Sequence, residues 1–441
     1  MLKAKNRLGL VFFPAYDWAI SPTHPEREER LLYTQDQLRE EGIFDIEGIV
    51  ELKPDIAEDE DVMRSHFCFP DVQSVVTPSH MISAGGALRA ARAVLDGEVD
   101  KAYALVRPPG HHAMKSVHGN RGFCNINNES IMVEYIREKY GKRRIAIVDT
   151  DCHHGDGTQD IFWHDPDVLF ISIHQDGRTL YPGSGHLREL GGPNARGKTI
   201  NIPLPPNTSE EGFIYTIDNM VMPILDHFKP EIIINSAGQD NHYTDPITNM
   251  NFTAHGYALL NEKLNPHIAV LEGGYSIQGA LPYVNLGIVL AMAGLDYSHV
   301  KEPDYDLNYS PQEDDITEYI SQLKEPVLNN YFNPKPDTER APVGQFSIRH
   351  KNIYYDTDGI QESQKEYIMI CNDCRGLLMI ESTASINPPC AGIDIPVDGC
   401  KRCQTEGYRL YERAVKSKEY ISVQLTDRVK KEYKRVKAAG Y

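Results

Sequence analysis

The stretch Arg144-Ile145-Ala146-Ile147-Val148-Asp149-Thr150-Asp151-Cys152-His153-His154-Gly155-Asp156-Gly157 is a short aliphatic run that gives way at once to acids, histidines and glycines. A nearly continuous run of this kind suits a strand covered on both faces, as in a parallel sheet. Its polar residues then fall just past the strand's carboxyl end, where open α/β sheets build their sites. The same pattern recurs from residue 8 to residue 295. Strand-like runs occupy residues 8–13, 102–106, 144–149, 168–173, 231–236 and 268–272, and helix-length segments occupy 83–95, 128–140, 209–228 and 278–292. Their alternation predicts an α/β class, an open parallel sheet with helices on both faces.

Three more polar loops follow predicted strands. Arg107-Pro108-Pro109-Gly110-His111-His112 follows Val106, Ala237-Gly238-Gln239-Asp240 follows Ser236, and Glu272-Gly273-Gly274-Tyr275 follows Leu271. Each alone reads as an ordinary loop or tight turn; their recurrence at successive strand ends does not. Asp151 and His153 alternate on extended backbone and can face one side, and Asp240 at a nearby strand end can complete an Asp, His, Asp set. Three such ligands leave the fourth position of a zinc ion open for a water whose pKa falls to ~7. A structural site would close all four positions, typically with cysteine.

With 441 residues, the chain exceeds the size at which one core stops growing, so one large domain and something smaller are expected. A net charge of -18 repels a phosphate backbone at long range and argues against a nucleic-acid partner. The longest apolar runs, such as 286–295, are about half the ~20 residues of a membrane span, so no membrane partner is expected. The N-terminus enters a strand-like run without an apolar leader, which leads to a cytoplasmic expectation.

Of eight cysteines, five lie between Cys371 and Cys403. Cys371 with Cys374 and Cys400 with Cys403 form two knuckles separated by 25 residues, close to the spacing of a four-cysteine zinc ribbon. Two disulfides are the alternative, which a reducing compartment disfavours. Four thiolates close the shell, so this second zinc is expected to be structural. Cys390 is left over as a loop or packing residue. The expected organisation is a main domain over 1–300, a linker or peripheral wrapping segment over 301–345, a zinc-ribbon-like module over 346–410, and a basic, helical tail over 411–441. The module's role stays open between gripping the main domain, building a homo-oligomer and presenting a macromolecular substrate.

Taken together, these motifs resemble the histone deacetylase family on the arginase/deacetylase fold. The likeness is to the class II and bacterial branches, which include acetylpolyamine amidohydrolases and acetoin-utilisation proteins. It runs from His24-Pro25-Glu26 to Leu295 and includes Gly85-Gly86-Ala87, Gly122-Phe123-Cys124, Ser172-Ile173-His174, Tyr181-Pro182-Gly183-Ser184-Gly185 and the loops above. The resemblance implies a zinc-dependent amidohydrolase that removes an acyl group from acylated lysine, a polyamine or a small acyl-amine. It implies that Asp151, His153 and Asp240 bind zinc, and that Asp149 orients His111 and Asp156 orients His112. It makes His112 the group that takes the proton of a zinc-activated water and passes it to the leaving amine, with His111 as electrostatic support and Tyr275 as oxyanion donor. Gly122, Phe123 and Tyr181 match the family's narrow channel. Asp149, Ser172 and the backbone of Ile173, with Asp151 and His153, match its potassium site.

Some residues depart from the family pattern. The loop 113–121 is longer than in eukaryotic members and carries Lys115, His118, Asn120 and Arg121, which are expected to read the distal part of a substrate or to be solvated. Ile247 stands where the polyamine-selective eukaryotic relative uses an acid, which argues against that device. Gln239 and His242, beside Asp240, have no assigned role. A two-manganese hydrolase on the same fold needs a further carboxylate where Gly155 stands, and a non-catalytic scaffold would not need every one of these groups.

Overall fold

The computed structural model describes residues 2–438 apart from 143, 304, 306–308 and 339. Up to residue 300 the strands are β1 (Lys3–Phe13), β2 (Glu47–Leu52), β3 (Phe67–Cys68), β4 (Lys101–Val106), β5 (Ser116–Val117), β6 (Ile145–Asp149), β7 (Val168–Gln175), β8 (Thr199–Leu204), β9 (Ile232–Ala237) and β10 (Ile268–Leu271). The helices are α1 (Glu29–Glu40), α2 (Asp59–Met63), α3 (Pro78–Leu95), α4 (Asn128–Tyr140), α5 (Asp156–Phe162), α6 (Glu210–Thr216), α7 (Met222–Phe228), α8 (Ala254–Leu264) and α9 (Leu281–Ala293).

Eight of the strands form one sheet in the order β2-β1-β4-β10-β9-β6-β7-β8, with every neighbouring pair parallel. Successive residues feed opposite cores. In β6, Ala146 and Val148 pack with α1 and α6 to α9, while Ile145 and Ile147 pack with α3 to α5. Both faces are apolar, which is why the strands read as continuous aliphatic runs.

The six strands expected from sequence are the inner β4, β10, β9 and β6 with β1 and β7 beside them. Unread were the edge strands β2, with its alternating Glu47, Ile49 and Glu51, and β8, with Thr199, Asn201 and Pro203. The helix expected over 209–228 is broken by a π-helical stretch, Ile217–Val221, just before Pro223, which has no N–H for an i−4 carbonyl. No helix among the described residues is long and apolar enough to cross a membrane.

Beyond residue 300 the structure adds detail to one expectation and corrects another. The segment 301–345, expected as linker or peripheral wrapping, carries α10 (Asp314–Phe332), whose buried Ile316, Ile320, Leu323, Val327 and Tyr331 join the large core. Its acidic composition and internal Pro326 hid this helical spacing. The tail over 411–441 is helical only as far as Ser417 and then carries two strands. Helix α11 (Lys401–Ser417) ends early, and β15 (Ser422–Asp427) and β16 (Glu432–Lys437) extend an antiparallel series, β11 (Phe346–Tyr355), β12 (Ile360–Met369), β13 (Leu378–Ala384) and β14 (Asn387–Ile395), into a six-stranded sheet. Residues 439–441 of that expected tail lie outside the described residues.

This second sheet docks on the first part through polar side chains at every other position. Ser422, Gln424 and Thr426 of β15 donate to the carbonyls of Pro70, His66 and Met63 at 2.8, 2.8 and 2.9 Å. Along β12, buried Glu366 meets Lys351 at 3.1 Å and His164 at 2.6 Å. Arg375 reaches Asp165 and Asp167, each at 2.5 Å, while holding Asp398 at 2.9 Å.

Buried neutral histidines make the fold acid-sensitive. Burial pushes His66 down to about 3 and His80 and His174 down to about 4, from an ordinary value of 6.5. Each folded value lies below the unfolded one, so the unfolded chain takes up the proton first as pH falls. Stability from these groups is therefore complete above about pH 6.5 and is lost downward, at about 1.4 kcal/mol per pH unit for each. Urea midpoints are expected to drop steeply between pH 7 and pH 5, and a midpoint that stays level over that range contradicts the account.

Candidate active site

The ends of β4, β10, β9 and β6 stand side by side in the middle of the large sheet, and each delivers one of the polar loops. The β6 loop turns Asp151 and His153 toward Asp240 from the β9 loop. Their ligand atoms all lie within 4.8 Å of one another, and all three residues are buried. His153 Nδ1 is 2.8 Å from Asp240 Oδ2 and 3.2 Å from Asp151 Oδ1. Backbone donors hold the carboxylates from behind, Gly273 N on Asp151 at 2.7 Å and Cys152 N on Asp240 at 2.7 Å.

Close approach at this point excludes side chains. A Cβ on Gly238 would stand 2.0 Å from Asp151 Oδ2, and one on Gly155 would stand 1.9 Å from Asp149 Oδ2. The further carboxylate of a two-manganese site therefore has no room at position 155.

The set favours a positive charge. Burial opposes protonation of His153, yet Asp240 and Asp151 outweigh it and hold the imidazole at about 10. Two buried carboxylates facing one imidazole leave a net negative charge that a divalent cation would balance, and the N and O donors are those zinc accepts.

Two His–Asp pairs flank this set. His111 Nδ1 lies 3.1 Å from Asp149 Oδ2, and His112 Nδ1 lies 2.8 Å from Asp156 Oδ1. The two rings differ in charge. Burial works against charging His111, but Asp151, Asp149 and Glu272 raise it to about 10. His112 is pushed well below its ordinary value by burial, and then by His111, Arg121 and His153.

Tyr275 closes the opposite wall. Its ring meets Phe123 edge-on at 5.8 Å, and Arg30 lies 5.0 Å over it. Burial raises its phenol well above the ordinary value, so the hydroxyl keeps its proton. Arg30 in turn donates to the carbonyls of Gly274 and Glu272 at 2.7 and 2.5 Å and pairs with Glu26 at 2.8 Å. His111, His112, Gly122, Phe123, His153, Leu180, Tyr181, Ile247, Tyr275 and Asp356 line a cavity of about 270 Å³.

Comparison with known proteins accords with this geometry. The signature of the histone deacetylase domain matches residues 70–286. A probable deacetylase of Archaeoglobus fulgidus is 49% identical over 332 residues, which span 69% of this chain and 90% of that protein. The chain belongs to the histone deacetylase family. The acetoin utilization protein AcuC of Bacillus subtilis is 30% identical over 68% of this chain and 86% of its own length. The histone deacetylase-like amidohydrolase of Pseudomonas aeruginosa is 35% identical over 50% of this chain and 60% of its own. The HDA15 HD domain superposes with a TM-score of 0.60 over 74% of this chain and 99% of that one, and at 23% identity it shows the shared fold.

As a family member, this deacetylase is a hydrolase acting on amide bonds. Asp149 and Ser172, named for potassium, are paired in register across β6 and β7, and Ser172 Oγ meets His174 Nδ1 at 2.8 Å. Ile173, the next residue of β7, is fully buried.

The loop 113–121 departs from its expected role. Lys115 pairs with Asp394 at 2.8 Å, His118 meets Ser382 at 2.7 Å, and Asn120 N donates to Asp358 at 2.6 Å, so these three are buried against the second sheet and do not face substrate. Arg121 binds Asp156 at 2.6 Å. Gln239 donates to Tyr103 and Asn285, and His242 lies 3.2 Å from Glu302, so both are held within the scaffold.

Sequence reading missed Arg30 and Asp356. Arg30 had a local signal, its spacing of four from Glu26, which lies just before α1. Asp356 had none.

The deacetylase also gathers its cysteine knuckles. All eight cysteines are free thiols. Sγ atoms of Cys371, Cys374, Cys400 and Cys403 lie within 4.8 Å of one another, with Cys371 to Cys400 at 3.7 Å and Cys374 to Cys403 at 3.3 Å. A disulfide needs about 2.05 Å, whereas thiolates around tetrahedral zinc stand ~3.8 Å apart. Cys390 packs with Phe67, Phe69 and Ile380.

Proposed function

We propose that this protein is a zinc-dependent deacylase that hydrolyses an N-acyl amide such as acetyl-lysine. The observation that carries the reading is the convergence of Asp151, His153 and Asp240 within 4.8 Å beside a cavity that also receives His111, His112 and Tyr275. Zinc held by those three residues would supply a Lewis acid for the acyl carbonyl and an acidified water to attack it.

The chain's own groups divide the remaining work. Asp156 fixes His112 through Nδ1, leaving Nε2 free to take the water's proton and return it to the leaving amine. Its low basicity keeps that nitrogen unprotonated at neutral pH. His111, held protonated by the carboxylates around it, supplies positive charge beside the developing oxyanion. The Tyr275 hydroxyl donates to the same oxygen. Phe123 and Tyr181 flank an alkyl-amine stem and keep water from it. Potassium at Asp149 and Ser172, with the Ile173 backbone, would brace the β6 loop from behind.

A hydroxamate, which offers two oxygens to an open metal position, tests this. It is expected to inhibit in competition with substrate, and exhaustive chelation is expected to abolish turnover until zinc is restored. Full activity after chelation, with no bound metal found by elemental analysis, would rule the reading out.

A further inference from the structure

The hairpin between β11 and β12 turns at Asp356-Thr357-Asp358-Gly359, far outside residues 70–286 that the family signature spans. It reaches over the catalytic loops. Asp356 Oδ1 accepts from Gly122 N at 3.0 Å and from the Tyr181 hydroxyl at 2.9 Å, and Asp358 Oδ2 accepts from Asn120 N at 2.6 Å. Asp356 is exposed and is the one carboxylate among the described residues that line the catalytic cavity.

Among the described residues no salt bridge to Asp356 is formed. Arg121 feels Asp356, but its guanidinium is engaged by both oxygens of Asp156, at 2.8 and 2.6 Å. The remaining rim is apolar or neutral, with Leu180, Ile247, Phe123 and the Tyr181 ring. The carboxylate is thus fixed by two donors in the wall of the catalytic cavity.

We propose that Asp356, delivered by the second sheet, receives a positively charged group on the far side of the substrate's alkyl stem, so that the preferred substrates are acylated amines carrying a distal ammonium. This rests on the deacylase reading above and names the substrate class of that same site. It also assigns the second sheet a part in the active site, through the turn between β11 and β12. Asp356 is a specificity residue, since it touches the substrate's end and not the reacting atoms.

The test compares two amides of equal length, an N-acetylated α,ω-diamine and the N-alkylacetamide whose far end is a methyl group. Wild-type enzyme is expected to favour the diamine in kcat/KM by about tenfold, the scale of one charge-assisted contact at a partly screened rim. Asp356→Asn keeps an acceptor for Gly122 and Tyr181 and removes the charge. It is expected to erase most of that ratio through KM, whereas Asp358→Asn, on the same turn but outside the cavity, is expected to preserve it. Equal loss on both amides in Asp356→Asn would make the residue a loop anchor and overturn the proposal. So would a wild-type enzyme with no preference, a result that needs no folded variant. In either case chelator-sensitive turnover of the neutral amide leaves the deacylase reading standing; absence of turnover on every amide removes both.

Discussion

Replacing Tyr275 by phenylalanine is expected to lower kcat by about 10²- to 10³-fold, with KM and metal content nearly unchanged. The ring does not depend on its hydroxyl for position. Tyr275 N donates to Asp245 Oδ2 at 2.8 Å, Phe123 and Arg30 clamp the ring, and Arg30 is itself pinned by Glu26 and two carbonyls of the same loop. The substitution therefore removes one donor and little else. A donor aimed at the oxygen where negative charge develops helps the transition state more than the ground state, so its loss falls on kcat. If Tyr275 is only a turn residue after Gly273-Gly274, the phenylalanine enzyme keeps a near-wild-type kcat. Steady-state kinetics with elemental analysis of the same sample separates the two, and the second outcome leaves the metal alone to stabilise the oxyanion.

The large sheet and its site are legible because their determinants are local. A two-faced aliphatic strand announces itself within a few residues, and Asp151 and His153 sit on the loop that the strand at 145–149 delivers. Even Asp240, far along the chain, follows its own readable strand. The second sheet is different. Ser422, Gln424 and Thr426 alternate with Val423 and Leu425, which reads as a strand wetted on one face, and Glu362, Gln364 and Glu366 alternate with Ser363 and Lys365, which marks no buried face at all. Here that polar face is the docked one, and its partners lie on distant parts of the chain. Periodicity identifies a face without saying what covers it. Lys115, His118 and Asn120 are misread for the same reason: charge in a loop beside a catalytic strand suggests substrate, and the competing partner, Asp394 or Ser382 or Asp358, is invisible until the sheet is folded. Asp356 is the converse, a residue whose ordinary turn sequence conceals a place in the cavity wall.

The other large effect is expected at the cysteine knuckles. Cys371→Ser combined with Cys374→Ser should leave one zinc per chain in place of two and release the second sheet. Cys371 and Cys374 follow β12, while Cys400 and Cys403 open α11, so an ion held by all four staples the β12–β13 connection to the helix that crosses from β14 to β15. Arg375, which ties this turn to Asp165 and Asp167, lies one residue past Cys374. Structural zinc contributes on the order of 10 kcal/mol in isolated fingers, more than a docked polar interface of this kind supplies by itself. Hydrogen exchange should then show β12 to β15 losing protection while β6 and β9 retain theirs. Because Asp356 and Asp358 hold the Gly122 loop, KM should rise in the same variant even though every residue around the catalytic metal is intact. Unchanged zinc content and unchanged protection in the double serine variant would show that the thiols only pack together, and that the docked ion pairs hold the sheet without a metal.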